Sequence, residues 1–582
     1  METKKIYTNK IDCTLSLENI LNDYEIIELK NINTNEKIPY TKLWEQVKKD
    51  ISVISYYNYG NSIYLLCEKE EINNLDLDRL DDFSVVANLV NILTIKKIKK
   101  HVILNLLIGL FGTSQSFFSI GEFQNGYYLI HKKYNNKIVC LRFSVNKDLL
   151  LILNVITFSK SKFDKKSKKE KIYYVIESNK LSRVINAQEV KENLFIKGNR
   201  FKSKNKIVYY DLQENFLKSK VGYIAKFVEL INKQLKNYLS FNLTKEEFRV
   251  FESGKDKKAR LLELKSNIKK CFKNYNQLNI IDYENRLDDD FKKDIVNRLE
   301  NYFDNCIEIN MKKEVDKTTP SIVFISSKED YDDSNIDPYE FIKKENKLTQ
   351  IVNYGNKMEQ TVLEAILKEL VIKIEIETSK FFLTNKWEDF SDYTFFFRVK
   401  TNEDFFYVKF ILNNLKVEKK KLTMLEEIKL KSITEKVPYE SDIELVALKN
   451  DDYFIISKTK KFILPNFDKC LDIYNDFINR NEKPRLRRVV YRKDTLNGLL
   501  GINYHKDDYS VEYYSANVLN PDTKISKGIV VRRIDFSNKD FCIDMILNSL
   551  NEYFIKNKEF TVLPFILKYF KEAVLLNKLT SS

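Results

Sequence analysis

Glycine and proline are scarce in this 582-residue chain, at 12 and 8 residues. No long flexible linker is therefore expected, and neighbouring domains should pack on one another. No GxxxxGK[ST] element occurs, which argues against a nucleotide-driven motor. There are only three histidines, and the seven cysteines (Cys13, Cys67, Cys140, Cys271, Cys306, Cys470, Cys542) are scattered with no CxxC pair. Neither a disulfide framework nor a His/Cys zinc site is indicated, which fits a reducing cytoplasm. The opening METKKIYTNK lacks the apolar core of a signal peptide. The most apolar run, Val102 to Phe111, is too short to cross a bilayer and reads as a buried helix. A cytoplasmic protein with no membrane partner is expected.

Apolar residues make up 43% of the chain, enough for several real cores. The formal net charge is +15, and it is concentrated: from Leu151 to Ile280 there are 30 lysines and arginines against 13 acids. Such a block is either a polyanion-binding face or a solvated lysine surface shaped by an AT-rich genome. Its densest part, SKSKFDKKSKKEK, reads as an exposed loop whose Lys165, Lys166, Lys168 and Lys169 are candidates for nucleic-acid backbone contacts. Tyr173, Tyr174, Tyr209 and Tyr210 suit base stacking and strand burial equally.

Residues 1–115 form an amino-terminal domain that mixes strands (Ile51 to Tyr57, Ser62 to Cys67) with a helical stretch from about Phe83 to Leu110. Residues 116–213 form a β-rich domain with a hairpin turning at Asn135-Asn136 and a strand in LLLILNVITF. Residues 214–274 read as a basic helical linker. From 275 to 385 strands and helices alternate: Leu278 to Tyr283, helix Asp288 to Tyr302, Ile307 to Asn310, Ser321 to Ser326, a helix opening at Asp337-Pro338, and Thr349 to Tyr354. The alternation predicts an α/β, Rossmann-like parallel sheet. Its ligands are expected outside the carboxyl ends of the strands, where helix N-termini present free N–H groups. Tyr339 and Lys343 share one helical face, Gln350 opens the following strand, and Lys373 lies on the next helix, so one phosphate would gather all four.

These four residues, in this order on a helix, a strand start and a second helix, resemble the guide 5′-phosphate pocket of the Argonaute MID domain. The resemblance implies that Tyr339 stacks on the first base while Lys343, Gln350 and Lys373 bind the phosphate. Glu377 stands where a second helix lysine is common, and Lys380 is the candidate substitute. The segment between Lys343 and Gln350 is shorter than is usual in the family. No cofactor is implied for catalysis, and Mg2+ at the guide 5′ phosphate is compatible with the resemblance.

Beyond Lys386 the chain is strand-led again. Residues 386–582 resemble the family's RNase H-like PIWI domain, behind a mixed α+β, strand-rich amino-terminal lobe. RRVVYRKD (Arg487 to Asp494) looks like the strand that ends in Arg-Asp-Gly, and Arg487, Arg488, Arg492 and Lys493 become candidate backbone contacts. The similarity covers roughly 275–582. RNase H-type cleavage needs acids converging on two divalent metals about 4 Å apart. Where the family has its first aspartate, TFFFRVK offers Arg398, and Lys493 replaces the later one, with Asp494 one residue on and thus on the opposite face. Glu426, Glu427, Glu444, Asp507 and Asp508 lack a recognisable frame. The resemblance implies a degenerate, non-cleaving protein that pairs a guide with target DNA or RNA. It would recruit an effector such as a helicase or nuclease in prokaryotic defence against plasmids or phage. Two readings from other classes stay open: an unguided single-strand binder or scaffold, and an active metal-dependent nuclease.

Overall fold

The computed structural model describes residues 2–578 apart from 33–42, 44–45, 48, 77–79, 81–82, 111–117, 121–126, 135–136, 162–172, 178–179, 185–193, 199–206, 210–217, 253–256, 328–329, 332–337, 356–357, 402–403, 412–415, 419–421, 440–441, 465–466, 469, 473–474, 476–498, 517–527, 539–541 and 556–559. The chain is a mixed α/β, multidomain molecule with four sheets among these residues.

The largest sheet has ten strands, and its two ends in sequence meet within it. In spatial order they are Glu2–Leu15, Leu239–Glu252, Leu499–His505, Ser510–Ser515, Ile529–Phe536, Asp452–Ile463, Ile443–Lys449, Thr394–Thr401, Asp404–Ile411 and Lys416–Glu418. Every described pairing in it is antiparallel. The strand 2–15 thus lies beside residues from the far half of the chain. Asn9, fully buried, fixes it there: its Nδ2 donates to the carbonyls of Leu151 (2.9 Å) and Lys460 (3.1 Å), and its Oδ1 accepts from the Phe462 N–H at 2.9 Å.

Two segments expected to be helical contain strands. Within 214–274, helices Lys220–Gln234 and Lys257–Lys273 flank the strand Leu239–Glu252. There Leu239, Phe241 and Leu243 are buried between exposed Ser240 and Asn242, a period of two that a helix cannot bury on one face. Likewise Val85–Leu89 pairs with Glu25–Asn31 as a strand, and the helix proper is Lys100–Leu110, buried from His101 to Gly109. The β-rich part is a seven-stranded sheet among the described residues, and its Leu151–Lys160 strand pairs from Leu151 to Ser159 with Lys137–Val145. Tyr174 and Tyr209 are buried, so packing rather than stacking accounts for them. Tyr210 and the side chain of Tyr173 lie outside the described residues.

The α/β alternation is observed. Gln277–Asp282 pairs in parallel with Glu308–Lys312 on one side and Ser321–Ile325 on the other, and Thr349–Asn353 extends the sheet. Helix Asp289–Tyr302 starts where Asp288 accepts the Phe291 N–H at 2.6 Å, with Asp289 and Asp290 complementing the dipole in its first turn. Helices Pro338–Glu345 and Gln360–Thr378 complete the unit. The long helix 360–378 buries Leu363, Ile366, Leu367, Leu370, Val371 and Ile374. Its core continues without a break through Phe395 and Phe454 to Phe565, Tyr569 and Ala573 of the closing segment. Helices Ile543–Ser549 and Ile566–Lys578 are the last two helices among the described residues.

Candidate anion-binding site

The carboxyl ends of the parallel strands, where a ligand was expected, are filled by the chain's own acids. Asp282 accepts backbone N–H groups from Arg286 (3.0 Å) and Leu287 (3.1 Å) and the Tyr354 hydroxyl (2.7 Å), and pairs with Lys292 at 3.0 Å. Burial opposes its ionisation, but the hydrogen bonds from Tyr354 and Lys292 hold its carboxyl below the usual range. Glu284 accepts from the Ser326 N–H and from the Tyr331 hydroxyl. The donors that an anionic ligand needs are already taken by these carboxylates.

The predicted tetrad gathers at the other end of the sheet. Helix 338–345 runs down to the amino end of strand 349–353, and helix 360–378 runs antiparallel to that strand, so its last turns arrive at the same place. Helix C-termini point their carbonyls here, and backbone dipoles do not attract an anion at this end. The positive charge must come from side chains.

Lys343 and Lys373 supply it, and both are buried, at 5% and 2% exposed. Lys343 Nζ lies over the Tyr339 ring, 4.9 Å from its centroid. Tyr339 packs half-buried against Ile281, Val323, Ile325 and Ile342. Lys373 Nζ donates to the Thr349 carbonyl at 2.8 Å and to Gln350 Oε1. Among the described residues neither ammonium has a carboxylate at ion-pair distance. Burial, and then the charge of Lys343, push the Lys373 pKa down to about 7. A buried charge without a counter-ion is destabilising by several kcal/mol, and two together leave a site short of negative charge.

Helix 360–378 ends at Ser379, whose backbone is left-handed (φ 55°), and Lys380 just beyond it is exposed. Glu377 pairs with Lys347 at 3.4 Å. Sequence reasoning missed the third wall of the site, helix 566–578. Its Lys568 is held by Glu369 at 2.7 Å and Glu572 at 3.2 Å, and these charges act on Lys373. The spacing of Lys568 and Glu572 marks a helix face, but nothing local signals what that face meets.

The other candidates are apart from this site or outside the described residues. Lys165, Lys166, Lys168, Lys169, Arg487, Arg488, Arg492, Lys493 and Asp494 lie outside them, as does the side chain of Arg398. Glu444 is paired with Arg532 (2.6 Å) and Lys458 (3.2 Å), and Asp508 with Arg533 (2.8 Å). Glu426 closes the capping box of helix Met424–Thr434, and Glu427 and Asp507 are exposed. Among the described residues no three His, Cys, Asp or Glu side chains are grouped to hold a metal, and no helix is long and apolar enough to cross a membrane.

No protein-family model matches the chain, and no curated protein does. Among solved structures, 98% of this chain aligns with 97% of Aa-Ago, in a crystal structure with externally bound siRNA, at 11% identity and a TM-score of 0.39. Kluyveromyces polysporus Argonaute, solved with a guide RNA, aligns over 99% of this chain and 94% of its own at 8% identity and a TM-score of 0.41. Superpositions this loose do not assign a function, and the site stands on its own residues.

Proposed function

We propose that this chain is a guide-binding, Argonaute-like protein that holds the 5′-terminal phosphate of a nucleic-acid strand between Lys343 and Lys373. The observation that carries the proposal is the pair of buried lysines, Lys343 and Lys373, with no carboxylate at ion-pair distance among the described residues. A terminal phosphomonoester brings the missing negative charge and three acceptor oxygens. Tyr339 is the platform for the first base, Gln350 holds Lys373 in place, and residues 275–385 act as the MID-like unit. The site does not fit Mg2+: two lysines face it, and Glu369 and Glu572 are engaged by Lys568. Lysine charge does the work there.

Residues 386–582 are read as a PIWI-like region without nuclease activity. Support comes from the sequence, with Arg398 and Lys493 at positions where the family has aspartates, and from the cations that neutralise Glu444 and Asp508. Without cleavage, target recognition by base pairing needs an effector protein to act on plasmid or phage nucleic acid.

The experiment is binding of a short single strand, as DNA and as RNA, with a 5′ phosphate or a 5′ hydroxyl. A preference for the phosphorylated strand is expected, and Lys343→Ala with Gln350→Ala should erase it. Each lost charge-assisted contact is worth about 1.5–3 kcal/mol, or roughly 10- to 150-fold. Equal loss for both strands would leave only an unguided single-strand binder. Mg2+-dependent cleavage that disappears with Glu444→Gln would restore the nuclease reading.

A further inference from the structure

The hydrogen bonds around Lys373 turn on one proton. Its Nζ has two acceptors, the Thr349 carbonyl and Gln350 Oε1, and no third among the described residues. A neutral amine has two N–H groups, and these acceptors use both; an ammonium carries a third. The charged groups packed around it favour neither state strongly. Lys343 on helix 338–345 repels the ammonium, Glu369 one turn back on its own helix attracts it, and helix 566–578 brings Lys568 and Glu572 with opposite signs. Lys568 sits between the two carboxylates and offsets part of their field. Strand 349–353 contributes only neutral acceptors here.

We infer that the terminal phosphate enters this site together with one proton, which Lys373 takes from solvent to donate its third N–H to a phosphate oxygen. The inference rests on the guide-phosphate reading and adds its regulation. The depressed Lys373 pKa agrees with it, since a group near 7 is largely neutral at higher pH while the site is empty. At about pH 8 a phosphomonoester, with its second pKa near 6, is already a dianion. A proton taken up on binding at that pH therefore goes to the protein.

The test is calorimetric titration of the full chain with a short 5′-phosphorylated strand at about pH 8, in two phosphate-free buffers of different ionisation enthalpy. Uptake approaching one proton per strand is expected, with affinity falling toward tenfold per pH unit between about 7 and 9. The 5′-hydroxyl strand should bind without proton uptake. Lys373→Arg, which keeps its charge throughout this range, should lose the proton uptake whatever affinity for the phosphorylated strand remains. Identical heats in both buffers with a flat pH profile would overturn the coupling while leaving the phosphate preference intact. Equal binding of the two strands would overturn the guide-phosphate reading itself. The wild-type comparison needs no variant, so a poorly folding Lys373→Arg protein would not leave the question open.

Discussion

Lys373 is a residue whose burial is tolerated in the empty protein at a pH-dependent penalty. Its folded pKa, about 7, lies below the unfolded lysine value, so between these two values the unfolded chain binds more protons and stability rises with pH. Lys373→Met removes that titration. The variant should gain most over the wild type near pH 6 and progressively less toward pH 9, by up to ~1.4 kcal/mol per pH unit, as read from denaturant midpoints across pH. Asn9→Ala, by contrast, strands three backbone groups that its amide satisfies, and a loss of ~1–3 kcal/mol is expected from urea unfolding. Tyr339, Lys343, Gln350 and Lys373 were legible because helix, strand start and helix follow one another within 35 residues of sequence. Lys568 was not, because its place beside Lys373 is set by packing between segments nearly two hundred residues apart.

At the scale of elements, legibility followed the reach of the pairing. The parallel unit 277–378 is built from neighbours in sequence, and its strands and helices could be read within a few residues of their observed bounds. The strand 239–252 was hidden because its partners, 2–15 and 499–505, lie far away, while the helices beside it set the apparent pattern. A close fit occurs on strand 499–505, where Gly501 lies opposite Tyr514 of the next strand. A Cβ at 501 would fall within the Tyr514 ring, which is itself fully buried against Phe248. Gly501→Val should therefore lower stability by ~1–3 kcal/mol, visible as a reduced thermal midpoint, whereas Gly355→Val, with open space but φ +82°, tests backbone strain instead.

For the whole molecule the charge distribution makes one prediction that needs no site. If the basic block 151–280 and the lysine site together contact about 6–10 phosphates, raising salt from ~50 to ~200 mM should weaken strand binding by ~10³–10⁵. Filter binding at several salt concentrations gives the slope, and a slope near zero would remove the polyanion-binding face. The ten-stranded sheet has a consequence of another kind. Strand 2–15 meets its neighbour 239–252 and touches 452–463 through Thr8 and Ile463. On a ribosome elongating at about 5–20 residues per second, that first neighbour is made roughly 12–45 s after the strand itself. During that interval Ile6, Ile11 and Cys13, all buried in the finished protein, have no sheet to enter. A chain being synthesised therefore exposes this apolar face until the partner strand follows, and the same strand, supplied as a separate peptide, is expected to complement a chain that lacks it.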